Sequence, residues 1–283
     1  RRQRQMCIRD RGTHAFRRLK VEGGILCDGM PVRADTRLRA GQVLEIRLDN
    51  GEMPGAALTP DDALPPSFIR YADEDILIVS KGAPLATLPC GHIHTGTLRE
   101  QLAALLGQDA ASFDYHPVNR LDKGTSGLLC VARHAHAQRL LTRQLHTDSF
   151  IREYLAVTEG IPAQPEGVID APIARLGAGA KRAVCPGGQR AVTRYRVEAA
   201  LRDISLVRLF PVTGRTHQLR VHCKYAGFPI LGDPQYQSEE SEAFSKENEL
   251  FSQELCAKRL EFRHPMTGEK ITIYSRQNVW KSP

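Results

Sequence analysis

The sequence predicts an α+β fold: a mixed, largely antiparallel β-sheet with flanking helices, preceded by a small α/β unit. Three observations carry that prediction. Strand-like segments come in runs, at 151–157, 167–173, 191–197 and 204–210, with few helical segments between them. Two short apolar runs, Ile76-Leu77-Ile78-Val79 and Leu128-Leu129-Cys130-Val131-Ala132, have the length and continuity of buried strands. Helical spacing is clear in only two later places, at Leu98, Leu102, Leu105 and Leu106, and at Ala137, Leu140, Leu141 and Leu145. A chain of 283 residues suits one large domain plus a small one.

Taken in order, residues 1–11 are Arg-rich without a core-forming pattern, and are read as non-native or disordered, with a truncated start. Residues 15–22 suggest a short basic helix closed by Gly23-Gly24. Ile25-Leu26-Cys27, the turn Asp28-Gly29 and Pro31-Val32 read as a hairpin. Residues 43–48 alternate apolar and charged side chains, as a half-buried strand does. Residues 50–66, rich in Pro, Gly and Asp, form a linker. The domain from 67 to 283 opens with Phe68-Ile69-Arg70-Tyr71 and the strand at 75–79. Thr97 and Glu100 form a capping box for the first of the two helices, which Gly107 stops. Gly177-Ala178-Gly179 reads as a loop, and no internal repeat is evident.

Hydrophobic content of 41% and charged content of 25% are ordinary for a globular protein. The net charge of +7 points to a polyanionic partner. Its basic excess lies early, in residues such as Arg17, Arg18 and Lys20, while acid gathers at 239–254. Seven scattered cysteines with no C-x-x-C pair argue for a reducing, cytoplasmic setting. No apolar run approaches the roughly 20 residues that span a bilayer, so no membrane association is expected.

The chemistry is expected around His116-Pro117-Val118-Asn119-Arg120-Leu121-Asp122-Lys123-Gly124-Thr125-Ser126-Gly127, where Arg120 and Asp122 stand two positions apart on a glycine-flanked turn. Rival chemistries find less support. The pairs His92/His94 and His134/His136 lack a third ligand in a fixed motif, so no metal is expected. Phosphate-loop and dinucleotide glycine patterns are absent, and so is a nucleophile elbow. A glycoside hydrolase needs two carboxylates flanking the bond; besides Asp122 the motifs offer only Asp233, which would have to approach it. In the stretch Arg215-Thr216-His217-Gln218-Leu219-Arg220, an extended backbone presents Arg215, His217 and Leu219 on one face.

Asn119-Arg120-Leu121-Asp122-Lys123-Gly124-Thr125-Ser126-Gly127-Leu128-Leu129 resembles the "H-R-L-D-x-x-T-S-G-L-L" motif of RluA-type RNA pseudouridine synthases. Four further segments match that family in the same order: 152–157, 214–222, Gly232-Asp233-Pro234 with Tyr236, and 260–269. The resemblance runs from about Phe68 to the end of the chain. Residues 12–49 are similar to part of the S-four RNA-binding domain, through 22–29 and 38–46.

The resemblance implies isomerisation of uridine to pseudouridine in structured RNA, ribosomal RNA of the large subunit before transfer RNA. The pseudouridine synthase fold is expected, with no obligate protein partner. The N–C1′ bond breaks, the detached uracil turns and it rejoins through C5, so no cofactor is required. Asp122 is then the nucleophile. A carboxylate in a dry pocket tends to protonate unless a nearby cation favours its charged form, and the resemblance implies Arg215 for that cation. It also implies that Arg120 fills the space of the flipped base, that Tyr154 stacks on it and that Leu219 forms an apolar wall. Asn119 stands where the family usually has His, Arg152 stands for Lys, and Lys81-Gly82-Ala83-Pro84 departs from "N-K-P-x-G". An RNA-binding protein keeping the fold without the reaction is the alternative. The intact Asp122, Tyr154 and Arg215 argue against it.

Overall fold

In a computed structural model, residues 25–32, 36, 39, 41–46, 68–89, 93–145, 147–177, 179–277 and 279 are described. The basic segment with Arg17, Arg18 and Lys20, the linker at 50–66, and His92 lie outside them.

Strands β1 (Ile25–Cys27), β2 (Met30–Pro31) and β3 (Leu44–Ile46) form a three-stranded antiparallel sheet in the order β2-β1-β3. The expected hairpin is its first turn. Asp28 and Gly29 both take left-handed backbone angles, with φ of 51° and 78°, which lets a two-residue connection follow the strand twist. The Asp28 carboxylate then accepts from the Val43 amide at 2.8 Å and the Gln42 side chain at 3.0 Å, tying the hairpin to the approach of β3.

The elements from Ile69 onward are organised around a ten-stranded sheet. They are β4 (Ile69–Ala72), β5 (Ile76–Lys81), α1 (Leu98–Leu105), β6 (His116–Pro117), β7 (Ser126–Ala132), α2 (Ala135–Gln144), β8 (Ile151–Glu159) and β9 (Glu166–Asp170). They continue as β10 (Ile173–Arg175), β11 (Arg182–Val184), β12 (Val192–Leu201), β13 (Ile204–Pro211), α3 (Gln218–Tyr225), α4 (Glu239–Glu247), β14 (Leu255–Arg263) and β15 (Lys270–Tyr274). The main path is β4-β5-β7-β14-β8-β13-β12-β9, with β6 on β7 and β15 on β14. Every pairing in it is antiparallel except β7 with β14. The mixed, largely antiparallel sheet is therefore present.

The two apolar runs become β5 and β7, adjacent inner strands of this sheet, where Ile76, Ile78, Leu128 and Cys130 are all fully enclosed. One cluster packs Leu77, Val79, Leu129 and Val131 with α1 and with Tyr154 and Leu219; another packs Ile76, Ile78, Leu128 and Cys130 with α2 and Phe262. Burying each such side chain contributes about 1.5–3 kcal/mol. β7 joins β14 through Gly127, which has φ of 103° and whose missing Cβ would lie 2.3 Å from the Ala257 carbonyl oxygen. Only glycine satisfies that conformation and that approach together. This joint sets the position of the turn that precedes it.

Two expectations need correction. The strand expected at 167–173 is broken at Ala171-Pro172 into β9 and β10, and β10 pairs with β11 in a separate hairpin that carries the glycine-rich loop. Proline lacks the N–H a continuous ladder needs. The stretch 215–220 is not extended. Its backbone turns at His217, which has φ of 57°, and enters α3 at Gln218.

Candidate active site

The turn from Asn119 to Thr125 is held from several sides by the elements that flank it. Thr87 Oγ1 donates to the Leu121 carbonyl at 2.9 Å, and Tyr115 donates to the Thr87 carbonyl at 2.9 Å. The Thr125 amide donates to the Asp122 carbonyl at 3.0 Å, while Gln253 donates to Thr125 Oγ1 at 3.0 Å. The Lys123 carbonyl accepts from the Leu85 amide at 2.9 Å and from Lys81 Nζ at 3.2 Å. With its backbone fixed in this way, the Asp122 side chain is 29% exposed while Arg120 faces solvent.

Lys81 is fully buried at the end of β5 and donates to three carbonyls, those of Gly82 (2.9 Å), Leu85 (2.7 Å) and Lys123 (3.2 Å). Burial pushes its ammonium down to about 7, against the pull of the Asp122 charge. The unfolded chain therefore holds more protons than the folded one between about pH 7 and pH 10.5, and folding stability gains from Lys81 as pH rises through that window. Lys81→Met leaves three carbonyls short of a donor, and a net loss of about 2 kcal/mol is expected near neutral pH. The loss should widen toward pH 9 in denaturant melts. Identical pH dependence of wild type and variant would show that Lys81 does not titrate there.

The charge partner of Asp122 is Arg220, not Arg215. Arg220 Nη1 lies 3.1 Å from Asp122 Oδ2. The same guanidinium makes a two-pronged pair with the fully buried Asp233, at 2.6 and 2.8 Å. It also lies 4.8 Å from the centre of the Tyr236 ring. Asp233 in turn accepts from the Gln235 and Tyr236 amides at 2.9 and 3.1 Å. Burial disfavours charge on Arg220, but the hydrogen bonds and charge of Asp233, with Asp122 added, hold its pKa above the ordinary value. Both Asp233 oxygens are occupied, so it serves as an anchor rather than as the second carboxylate of a glycoside hydrolase.

Arg215 points elsewhere: its Nε donates to the Arg190 carbonyl at 3.0 Å and the side chain is exposed. The helical turn at 218–225 explains the exchange. An extended strand would put 215, 217 and 219 on one face, whereas α3 swings residue 220 toward Asp122. The stretch 218–225 has no Gly or Pro before Gly227, a signal that favours a helix.

Tyr154 and Leu219 are brought together in the core cluster that also contains Leu121. Burial raises the Tyr154 pKa, with the Arg152 charge opposing and Asp122 adding to the rise, so the side chain is a phenol at neutral pH. Asn119 is buried, and its Oδ1 accepts from the Cys130 amide at 3.0 Å. Among the described residues its Nδ2 meets no acceptor in hydrogen-bond geometry, yet it bears on the Tyr154 ionisation.

A carboxylate–histidine group lies apart from this turn. Asp73, Asp75 and His264 bring potential ligand atoms within 4.8 Å of one another. The donors do not suit a cation, however. His264 Nδ1 accepts from the Met266 and Thr267 amides, which leaves the hydrogen on Nε2, donated to Asp73 at 3.0 Å. His134 follows the same rule, with Nδ1 taking the Ala137 amide and Nε2 facing Asp75 at 2.8 Å. No helix among the described residues is long and apolar enough to cross a membrane.

A turn-borne carboxylate paired with an anchored arginine falls inside the region shared with known proteins. The family model described as RNA pseudouridylate synthase matches residues 75–225, which include Asp122, Tyr154 and Arg220. The chain belongs to that family. A Bacillus subtilis relative, "Uncharacterized RNA pseudouridine synthase YlyB", is 36% identical over 88% of this chain and 80% of its own length. The "Ribosomal large subunit pseudouridine synthase D" of Pseudomonas aeruginosa is 34% identical over 93% and 81%. Among solved structures, the human RNA pseudouridylate synthase domain-containing protein 1 aligns with a TM-score of 0.60 and 28% identity, covering 74% of this chain and 82% of its own. The α+β architecture of this synthase is thus that of pseudouridylate synthase domains.

Proposed function

We propose that this synthase converts uridine to pseudouridine in large-subunit ribosomal RNA, with Asp122 as nucleophile and Arg220 as its charge partner. The observation that carries the reading is the Asp122–Arg220–Asp233 chain. A partly exposed carboxylate on a pinned turn meets a guanidinium that two buried hydrogen bonds to Asp233 hold in place. Such a carboxylate attacks at the sugar or base edge while the N–C1′ bond breaks. The uracil then turns and bonds to C1′ through C5 as the bond to the Asp122 carboxylate breaks, which regenerates the free carboxylate. The C5 proton departs and N1 gains one, so the product is an isomer of the substrate. Tyr154, a phenol at rest, packs against the flipped base, and Leu219 closes the pocket on its apolar side. Arg120, exposed beside Asp122, fills the place the base leaves.

Large-subunit ribosomal RNA is favoured because curated relatives carry that substrate in their names, over most of this chain's length. The three-stranded unit at 25–46, with the basic segment before it, supplies an additional RNA contact in this reading.

The test is to map pseudouridines in cellular RNA with and without the gene, and to repeat the conversion with purified protein and transcripts. A site in large-subunit ribosomal RNA that disappears without the gene is the expected result. Loss of sites in transfer RNA alone would overturn the substrate. No altered site in either RNA would overturn the catalytic reading.

A further inference from the structure

The β10–β11 hairpin and the segment that leads into α3 enclose an open cavity of about 340 Å³. Three arginines, Arg175, Arg182 and Arg215, are among the residues that line it. Among the described residues neither Arg182 nor Arg215 has a carboxylate partner, and the side-chain hydrogen bonds of both go to backbone carbonyls. No aromatic ring lines the cavity, so it has nothing on which a base would stack. Arg182 and Arg215, lining a concave, partly exposed site with no carboxylate beside them among the described residues, favour an anion with several acceptor oxygens. A water molecule takes up about 30 Å³, so the cavity holds a phosphate group together with its hydration.

A chain of contacts through Tyr236 and Arg220 links the cavity lining to Asp122. The Tyr236 hydroxyl accepts from the Arg182 amide at 2.8 Å and bonds His217 Nδ1 at 2.8 Å. On its other side, the Tyr236 ring carries the Arg220 guanidinium that reaches Asp122. His217, bonded to the Tyr236 hydroxyl, also feels the charges of Asp122 and Arg182.

We propose that this cavity binds a backbone phosphodiester of the substrate RNA, adjacent to the uridine held over Asp122. The inference rests on the synthase reading and extends it. A nucleotide whose ribose lies at Asp122 continues on both sides into phosphates, and a strand leaving past Tyr236 and His217 meets Arg182 and Arg215. Arg215, expected from sequence to pair with Asp122, then serves the same substrate one nucleotide step away. Inorganic phosphate shares this chemistry, and the experiment separates the two sources.

Binding of the full chain to a large-subunit ribosomal RNA transcript would be measured across a salt series, for wild type and for Arg182→Gln combined with Arg215→Gln. The expected result is a flatter dependence of log K on log[salt], by about 0.7–0.9 for one phosphate no longer neutralised, with affinity reduced severalfold at low salt. The charge-matched pair Arg202→Gln and Arg276→Gln, exposed arginines that do not line the cavity, should keep a steeper slope; an equal flattening there would mean diffuse charge and overturn the site. A neutral methylphosphonate linkage beside the target uridine should weaken wild-type binding but add nothing to the double variant. A wild-type slope in the double variant would overturn the proposal. So would inorganic phosphate protecting wild type but not the double variant against heat, if the RNA slopes were equal; the cavity would then hold a free anion only. Should the Gln pair fail to fold, Arg182→Lys with Arg215→Lys keeps the charge and must keep the slope. Pseudouridine formation is scored separately. A slope change without product sinks the synthase reading and spares the cavity, and product without a slope change does the reverse.

Discussion

Asp122→Asn is expected to lower pseudouridine formation at least about 10⁴-fold while leaving RNA binding within a fewfold of wild type. Asn keeps the shape of the side chain and one acceptor oxygen. The hydrogen bonds that hold the turn all come from neighbouring groups, through Leu121, Lys123, Thr125 and the Asp122 backbone, and none uses the Asp122 carboxylate. Arg220 keeps its two bonds to Asp233, so no buried charge is stranded. Stability should therefore fall by about 1 kcal/mol or less, the scale of a partly exposed ion pair. Stopped product formation, with a thermal melt shifted by no more than about 2–4 °C and a retained RNA complex, isolates chemistry from folding and binding. Turnover within tenfold of wild type would remove Asp122 from the reaction.

Much of this site is legible in the chain because its information is local. Buried runs of four or five apolar residues specify β5 and β7 without any knowledge of partners, and Asp28-Gly29 specifies its own turn. Asp122 is legible for the same reason: the turn that carries it is bounded by glycines and by a strand next in sequence. What the residues alone do not reveal is pairing across long separations. Arg220 and Asp122 are 98 positions apart, and the choice between Arg215 and Arg220 depends on whether residues 215–220 are extended or helical. Alternating donors suggest the first; the αL turn at His217, where nothing in the residue type demands it, imposes the second. Likewise Lys81 looks like the polar end of a strand. Its burial follows only from three carbonyls, one of them 42 positions away, closing over the ammonium. The break between β9 and β10 is readable at Pro172, whereas the arginine-lined cavity it creates needs β11 and the 215–216 segment to be placed beside it.

Arg220→Leu is expected to be the most damaging single change, and its damage should be divided between two neighbours. Asp233 is fully buried; without the guanidinium its Oδ1 keeps the Gln235 and Tyr236 amides, while Oδ2 loses the Arg220 Nε bond that holds it. Breaking a buried pair by removing one partner costs about 3–5 kcal/mol, because the remaining charge stays out of water. Arg220→Leu with Asp233→Asn should recover a good part of that stability, since the stranded charge is gone. It should not recover turnover, because Asp122 would still lack its cationic partner. Chemical denaturation and single-turnover product formation on the same two proteins separate these roles. Recovery of both in the double variant would mean that Arg220 acts on the fold alone. A single variant as stable as wild type would mean that the buried Asp233 carboxylate does not depend on the guanidinium, and would overturn this account of the pair. The expected split, stability restored and chemistry not, follows from one guanidinium that bonds a fully buried carboxylate on one side and a partly exposed one on the other.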